Sequence, residues 1–187
     1  PSVEDLAKAL APYEALGWQP RNVGERTLIP YARLQLKKAR LAGGKRFYTG
    51  ADTTGNLIQQ GMKALALVKR EKPFLAQPGE LSECAYVTSN DGTVQPYYLY
   101  LPSNYDPAKP WPMLVFLHGY VPTISVLAPW VLGKDSYQTA EKYGFILLTP
   151  YGRRNTDFQG IGELDVEEAI REVEDLYSVD HERIHLT

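Results

Sequence analysis

The chain has 187 residues, 44% of them hydrophobic and 22% charged, which is enough apolar material to bury roughly 70% of the surface its unfolded form exposes. One real core with room for a small appendage is expected, and a disordered, collagenous or coiled-coil chain is excluded. The 20 Lys and Arg against 22 Asp and Glu leave a formal charge of -2, which offers no electrostatic footprint for nucleic acid or an anionic membrane.

Cys84 is the single cysteine and forms no metal-ligand spacing with the three histidines, so neither a disulfide scaffold nor a metal site is expected. No apolar run approaches the roughly 18 residues a bilayer span needs, and a soluble protein is expected. The chain opens at Pro1 without a basic, apolar leader. That start fits a removed leader or a boundary set by cloning.

The first third reads as helices. Ser2 with Asp5 three residues on predicts an N-cap, followed by Val3, Leu6, Ala7, Leu10 and Tyr13 on one face, with a kink at Pro12 and a stop at Gly17. A second helix is expected to start near Pro30 and run through Leu34, Leu36 and Leu41 to Gly43-Gly44. A third follows Asp52 and Thr53, carrying Leu57, Ile58, Met62, Leu65 and Val68 until Pro73. These stripes are read as core faces, and residues 1–79 as a helical region.

From Leu81 the period shortens to two. Cys84 to Thr88 and Val94 to Leu101 flank Asn90-Asp91-Gly92, where glycine can take the positive φ of a tight hairpin. Pro96 lacks a ladder donor and is expected at an edge or bulge. After a Pro- and Asn-rich loop over 102–112, Met113 to Leu117 is an uninterrupted apolar run suited to a central strand covered on both faces. A short helix over Ser136 to Tyr143 ends at Gly144, and Phe145 to Thr149 is a second buried strand. An irregular loop over 150–162 leads to a helix with Val166, Ala169, Ile170, Val173 and Tyr177 on one face and its acidic residues toward water. Arg183 to Thr187 begins another strand. The whole predicts an α/β fold: an antiparallel hairpin, then parallel strands with crossover helices, preceded by the small helical region.

Ligands of open α/β sheets collect beyond the carboxyl ends of strands, and His118-Gly119-Tyr120 occupies such an end. A glycine there lets the backbone turn away so that the next N–H can meet a developing oxyanion. A His-Gly pair alone fits equally a tight strand exit whose His bonds neighbouring loop backbone.

The order of several segments adds a resemblance. Asp91-Gly92-Thr93 with Tyr97 to Pro102, Trp111 to Gly119, Ala140 to Phe145, Gly160 to Val166 and Val179 to Thr187 follow one another as in the α/β-hydrolase superfamily. The chain resembles its esterase branch, near polyhydroxybutyrate depolymerases, feruloyl esterases and prolyl-oligopeptidase-like hydrolases. The resemblance covers Asp91 to Thr187 and implies that residues 80–187 are the N-terminal half of a serine hydrolase acting on a small-molecule carboxylic ester without a cofactor. It makes the Tyr120 N–H an oxyanion donor, with His118 and Gly119 shaping its turn. It also implies a G-x-S-x-G nucleophile turn within about three residues of Thr187. None of Ser2, Ser82, Ser89, Ser103, Ser125, Ser136 or Ser178 stands in such a context, so nucleophile, acid and base are expected outside this chain, in a C-terminal half of the same hydrolase. The esterases resembled are often exported by bacteria. An oligopeptidase of the superfamily, or a non-catalytic binding module that lost the nucleophile turn, are the alternatives.

Other features read more plainly. Tyr151, Arg153 and Phe158 lie on the presumed active face and are candidates to line a substrate pocket; otherwise Arg153 and Arg154 pair with carboxylates such as Asp157 and Glu163. Gly160-Ile161-Gly162 lacks a P-loop lysine and precedes Glu163 and Asp165, which repel phosphate. His181 is assigned to a turn, His185 to a strand, and Cys84 to a buried strand position with no partner to lower its pKa.

Overall fold

A computed structural model describes residues 1–15, 18–43, 53–69, 75–129 and 132–187. They form two compact units, Pro1–Phe74 with Ala85–Val87, and Leu75–Cys84 with Thr88–Thr187.

The helical unit holds α1 (Val3–Leu10), α2 (Val23–Ala42) and α3 (Thr54–Val68). The predicted capping box starts α1: the Asp5 N–H donates to Ser2 Oγ at 3.2 Å, and the Ser2 N–H donates to the Asp5 carboxylate at 2.7 Å. Pro12 does not kink this helix, which has already closed at Leu10 into a 3₁₀ turn over Ala11–Tyr13. Helix α2 begins well before Pro30, which lies inside it. Its cap is Asn22, whose Oδ1 accepts from the Glu25 N–H at 2.9 Å, while the Glu25 carboxylate takes the Arg21 N–H at 2.8 Å and its guanidinium. These contacts offset the donor that Pro30 cannot supply. Thr53 caps α3. Leu6, Leu10, Leu28, Ile29, Leu36, Leu57 and Leu65 meet in the core of this unit. The expected stops at Gly17, Gly44 and Pro73, and the contribution of Asp52, lie outside the described residues.

Among the described residues, β1 (Leu81–Val87, of which Leu81–Cys84 belongs to the second unit), β2 (Val94–Tyr100), β3 (Trp111–Val115), β4 (Ile146–Pro150) and β5 (Val179–Leu186) form a mixed five-stranded sheet in the order β1-β2-β4-β3-β5. Gly92, at φ 67°, turns the hairpin, and its N–H donates to Thr88 O at 3.1 Å. Strand β4 runs antiparallel to β2 and parallel to β3, which in turn runs parallel to β5. The expected α/β arrangement is therefore present. Pro96 is not at the sheet edge, because β2 lies between β1 and β4. The β2–β4 register begins one residue later, at Tyr97 opposite Pro150, so the missing donor costs that ladder nothing.

Helix α4 (Lys134–Tyr143) joins β3 to β4, and α5 (Ile161–Leu176) carries the chain from β4 back past β3 to β5. Ala140 and Tyr137 of α4 pack with Tyr100, Leu114 and Leu147. Glu141 fastens that helix to the end of β2, accepting from Tyr100 Oη at 2.5 Å and the Ser103 N–H at 2.7 Å. On α5, Val166, Ala169 and Val173 are buried as expected. Its acidic residues do not all face water: Asp165 and Glu172 are buried. Asp165 is compensated by Arg153, as burial of a carboxylate demands. His181 belongs to β5 rather than to a turn, and its Nδ1 lies 2.7 Å from Glu174.

Candidate active site

The sheet places two strand ends side by side. Strand β3 leads α4 toward β4 on one side, whereas the return through α5 delivers β5 to the other side of β3. Such a reversal opens a crevice beyond the carboxyl ends of the strands. The pairing continues past the strands themselves: Leu117 N–H donates to Thr187 O at 2.8 Å, and Thr187 N–H donates to Val115 O at 3.0 Å. The His118-Gly119-Tyr120 corner starts at the next residue.

His118 is buried, with 7% of its surface exposed. Its Nδ1 lies 2.9 Å from Gly119 O and its Nε2 lies 3.2 Å from Tyr151 O, while the Phe158 ring sits 5.0 Å away at 59°. Both ring nitrogens are thus turned onto the protein's own backbone. With the proton on Nδ1, the ring grips the carbonyl of the Gly119–Tyr120 peptide. In a trans peptide the N–H points opposite to the C=O, so the Tyr120 N–H is directed away from the imidazole. Among the described residues no acceptor takes that N–H. The Tyr120 side chain is 75% exposed. Gly119 has neither a positive φ nor any atom within 4 Å of where a Cβ would stand. Its effect is to leave one side of the corner open.

The loop after β4 closes around this corner. Tyr151 is buried, and burial pushes its phenol pKa upward; its carbonyl, rather than its ring, reaches His118. Phe158 is half-buried against the same imidazole. Arg153 bridges two carboxylates: Nη1 lies 2.9 Å from Asp91 and Nε 3.2 Å from Asp165. Its partners are therefore Asp91 and Asp165, not Asp157 or Glu163, because the loop turns the guanidinium toward the β1–β2 hairpin and the N-terminal part of α5. The Arg153 hydrogen bond, followed by that of Thr93, holds the Asp91 carboxyl well below the usual carboxylate range. Arg154 donates from Nε to Ile124 O at 3.1 Å.

No family model matches the chain, and no curated protein sequence matches it. Solved structures are similar to it in fold. A thermostable esterase is 24% identical at a TM-score of 0.42, over 57% of this chain and 33% of its own. A ferulic acid esterase from the anaerobic fungus Anaeromyces mucronatus is 20% identical at 0.38, over 62% and 50%. An ester hydrolase from the metagenome of Lake Arreo is 15% identical at 0.40, over 82% and 47%. The chain spans half or less of the length of each. Likeness at this level concerns the fold alone and carries nothing about chemistry.

His118, Gly119, Tyr120, Tyr151, Arg153 and Phe158 are the candidates that the sequence marks. The structure brings His118, Tyr151 and Phe158 into contact and fixes Arg153 on the far side of the same loop. It adds Asn155, whose side chain pairs with both backbone groups of Val121, at 3.0 Å and 2.9 Å. Nothing in the residue types marked that contact, because it depends on where two loops meet. Among the described residues no group of three or more His, Cys, Asp or Glu could hold a metal ion, and no helix is long and apolar enough to cross a membrane.

Proposed function

We propose that this chain supplies the oxyanion side of a serine hydrolase of the α/β-hydrolase type that cleaves small carboxylic esters. The nucleophile turn follows β5, and the acid and base lie further along, in the remainder of the same hydrolase, which continues the sheet from the open edge of β5. One observation carries this reading: the Tyr120 N–H, which no acceptor takes among the described residues, follows three residues after Leu117, whose own N–H donates to Thr187 O at 2.8 Å. A hydroxyl presented just after β5 would follow the strand end that pairs with Leu117, at the start of the corner that carries this donor.

Acyl transfer needs that geometry. A serine made nucleophilic by a histidine attacks the ester carbonyl, and the carbonyl oxygen takes up negative charge as the tetrahedral intermediate forms. The Tyr120 N–H donates to this oxyanion, and the N–H following the serine supplies a second donor. His118 does not act as the base; its Nδ1 faces Gly119 O and its Nε2 faces Tyr151 O, so neither nitrogen is presented to a nucleophile.

The test uses the complete hydrolase and p-nitrophenyl acetate. Tyr120→Pro deletes the backbone donor and is expected to lower kcat by about 100-fold or more, whereas Tyr120→Phe keeps the N–H and the rate. The chain ending at Thr187 should release no p-nitrophenol. Equal loss in both variants, or turnover by this chain alone, would overturn the reading, and cleavage of peptide substrates without esters would move it to an oligopeptidase.

A further inference from the structure

The loop after β4 is unusually strained. Arg153, Arg154, Asp157 and Phe158 all hold left-handed φ values, of 60°, 75°, 52° and 51°. Non-glycine residues persist there only where their surroundings over-determine them, and such clusters accompany functional sites. Here the anchors are visible. Arg153 is tied to Asp91 and Asp165, Arg154 to Ile124 O, Thr156 Oγ1 to Gly152 O at 2.7 Å, and Phe158 to the His118 ring. Between them, Asn155 turns its carboxamide onto Val121: the Val121 N–H donates to Oδ1 at 3.0 Å, and Nδ2 donates to Val121 O at 2.9 Å.

That pairing imitates one rung of a β-ladder, made by a side chain. Val121 N belongs to the peptide unit immediately after the one that carries the Tyr120 N–H. His118 grips the Gly119–Tyr120 peptide at its carbonyl, and Asn155 grips the next peptide at its N–H. Two adjacent planes held from two sides leave the intervening Tyr120 φ and ψ little freedom. We propose that Asn155 is a positioning residue for the oxyanion corner, and that the strained 151–160 loop is the brace that presents it. This rests on the ester-hydrolase reading for its catalytic consequence, but not for its structural one.

Asn155 is exposed, so replacing it removes two hydrogen bonds without opening the core. Peptide-resolved amide hydrogen exchange of the full-length protein reads the brace directly. In Asn155→Ala, exchange over residues 118–124 should accelerate about tenfold or more while the peptide over 146–150 is unchanged. With p-nitrophenyl acetate, kcat should fall about tenfold and KM stay within about twofold, because a misplaced oxyanion donor weakens the transition state and not the ground state. Asn155→Asp, which keeps the acceptor for the Val121 N–H but turns a second oxygen toward Val121 O, should fall between wild type and the Ala variant in both readouts. Unaltered exchange over 118–124 in both variants would overturn the proposal, as would accelerated exchange with unaltered kcat against an active wild type. A wild type without ester turnover would sink the functional reading instead, and the brace would then stand or fall on exchange alone.

Discussion

His118 shows how a residue type can be legible and its role not. The His-Gly pair at the end of an apolar run located the corner, but the ring's partners, Gly119 O and Tyr151 O, come from backbone brought in by another loop. Asp91 is similar. In the sequence it is a turn residue; in the structure it receives Arg153 from the loop after β4. Because its folded-state pKa is depressed, its contribution to stability is complete above the ordinary carboxylate pKa of about 4 and is lost as pH falls below it. Glu141, lowered chiefly by the Tyr100 hydroxyl and then by Ser103, acts in the same direction. Melting temperature should therefore decline between about pH 5 and pH 3, and less steeply in Asp91→Asn, which has no charge to neutralise; parallel profiles for the two proteins would rule out the pairing as a contributor. The buried carboxylates of α5 depart from the pattern expected of acidic residues for a different reason. Asp165, Ala169 and Glu172 stand at helical spacing on the side that packs inward, so position outweighed residue type.

Elements were read best where local chemistry decides them. The Ser2 box, the Thr53 cap, the Gly92 turn and the Gly144 stop all depend on residues within a few positions. Pro30 looks like a first-turn residue and hides the true start of helix α2, which Asn22 with Glu25 three residues on signals. In the loop after β4, Gly152 takes φ 57°, and a Cβ there would overlap the Phe158 ring. Gly152→Ala should therefore cost about 2 kcal/mol or more in urea unfolding, from the left-handed backbone and the displaced ring together. A change below about 0.5 kcal/mol would mean that Phe158 moves aside freely and that the loop is not braced in the way described.

At the scale of the whole chain, composition and periodicity were enough for an α/β sheet preceded by helices, because alternation of two- and 3.6-residue periods is a local property. The strand order was not legible in the same way. Nothing local says that β5 lies beside β3 rather than beside β4, since that choice is made by the crossover through α5. Strand β5, at one edge of the described sheet, carries Asp180, His181, Glu182, Arg183 and His185, and its charges discourage indiscriminate strand pairing.

The bonds between Leu117 and Thr187 have a kinetic corollary. They link chain positions on either side of two helix-containing crossovers, so the loop-closure entropy of both must be met before they form. During refolding the corner should acquire its protection after the β1–β2 hairpin, and pulse-labelled amides over 117–121 should lag those over 88–93. The corner proposed to meet a substrate would then be assembled after the hairpin, from strands that lie far apart in the chain.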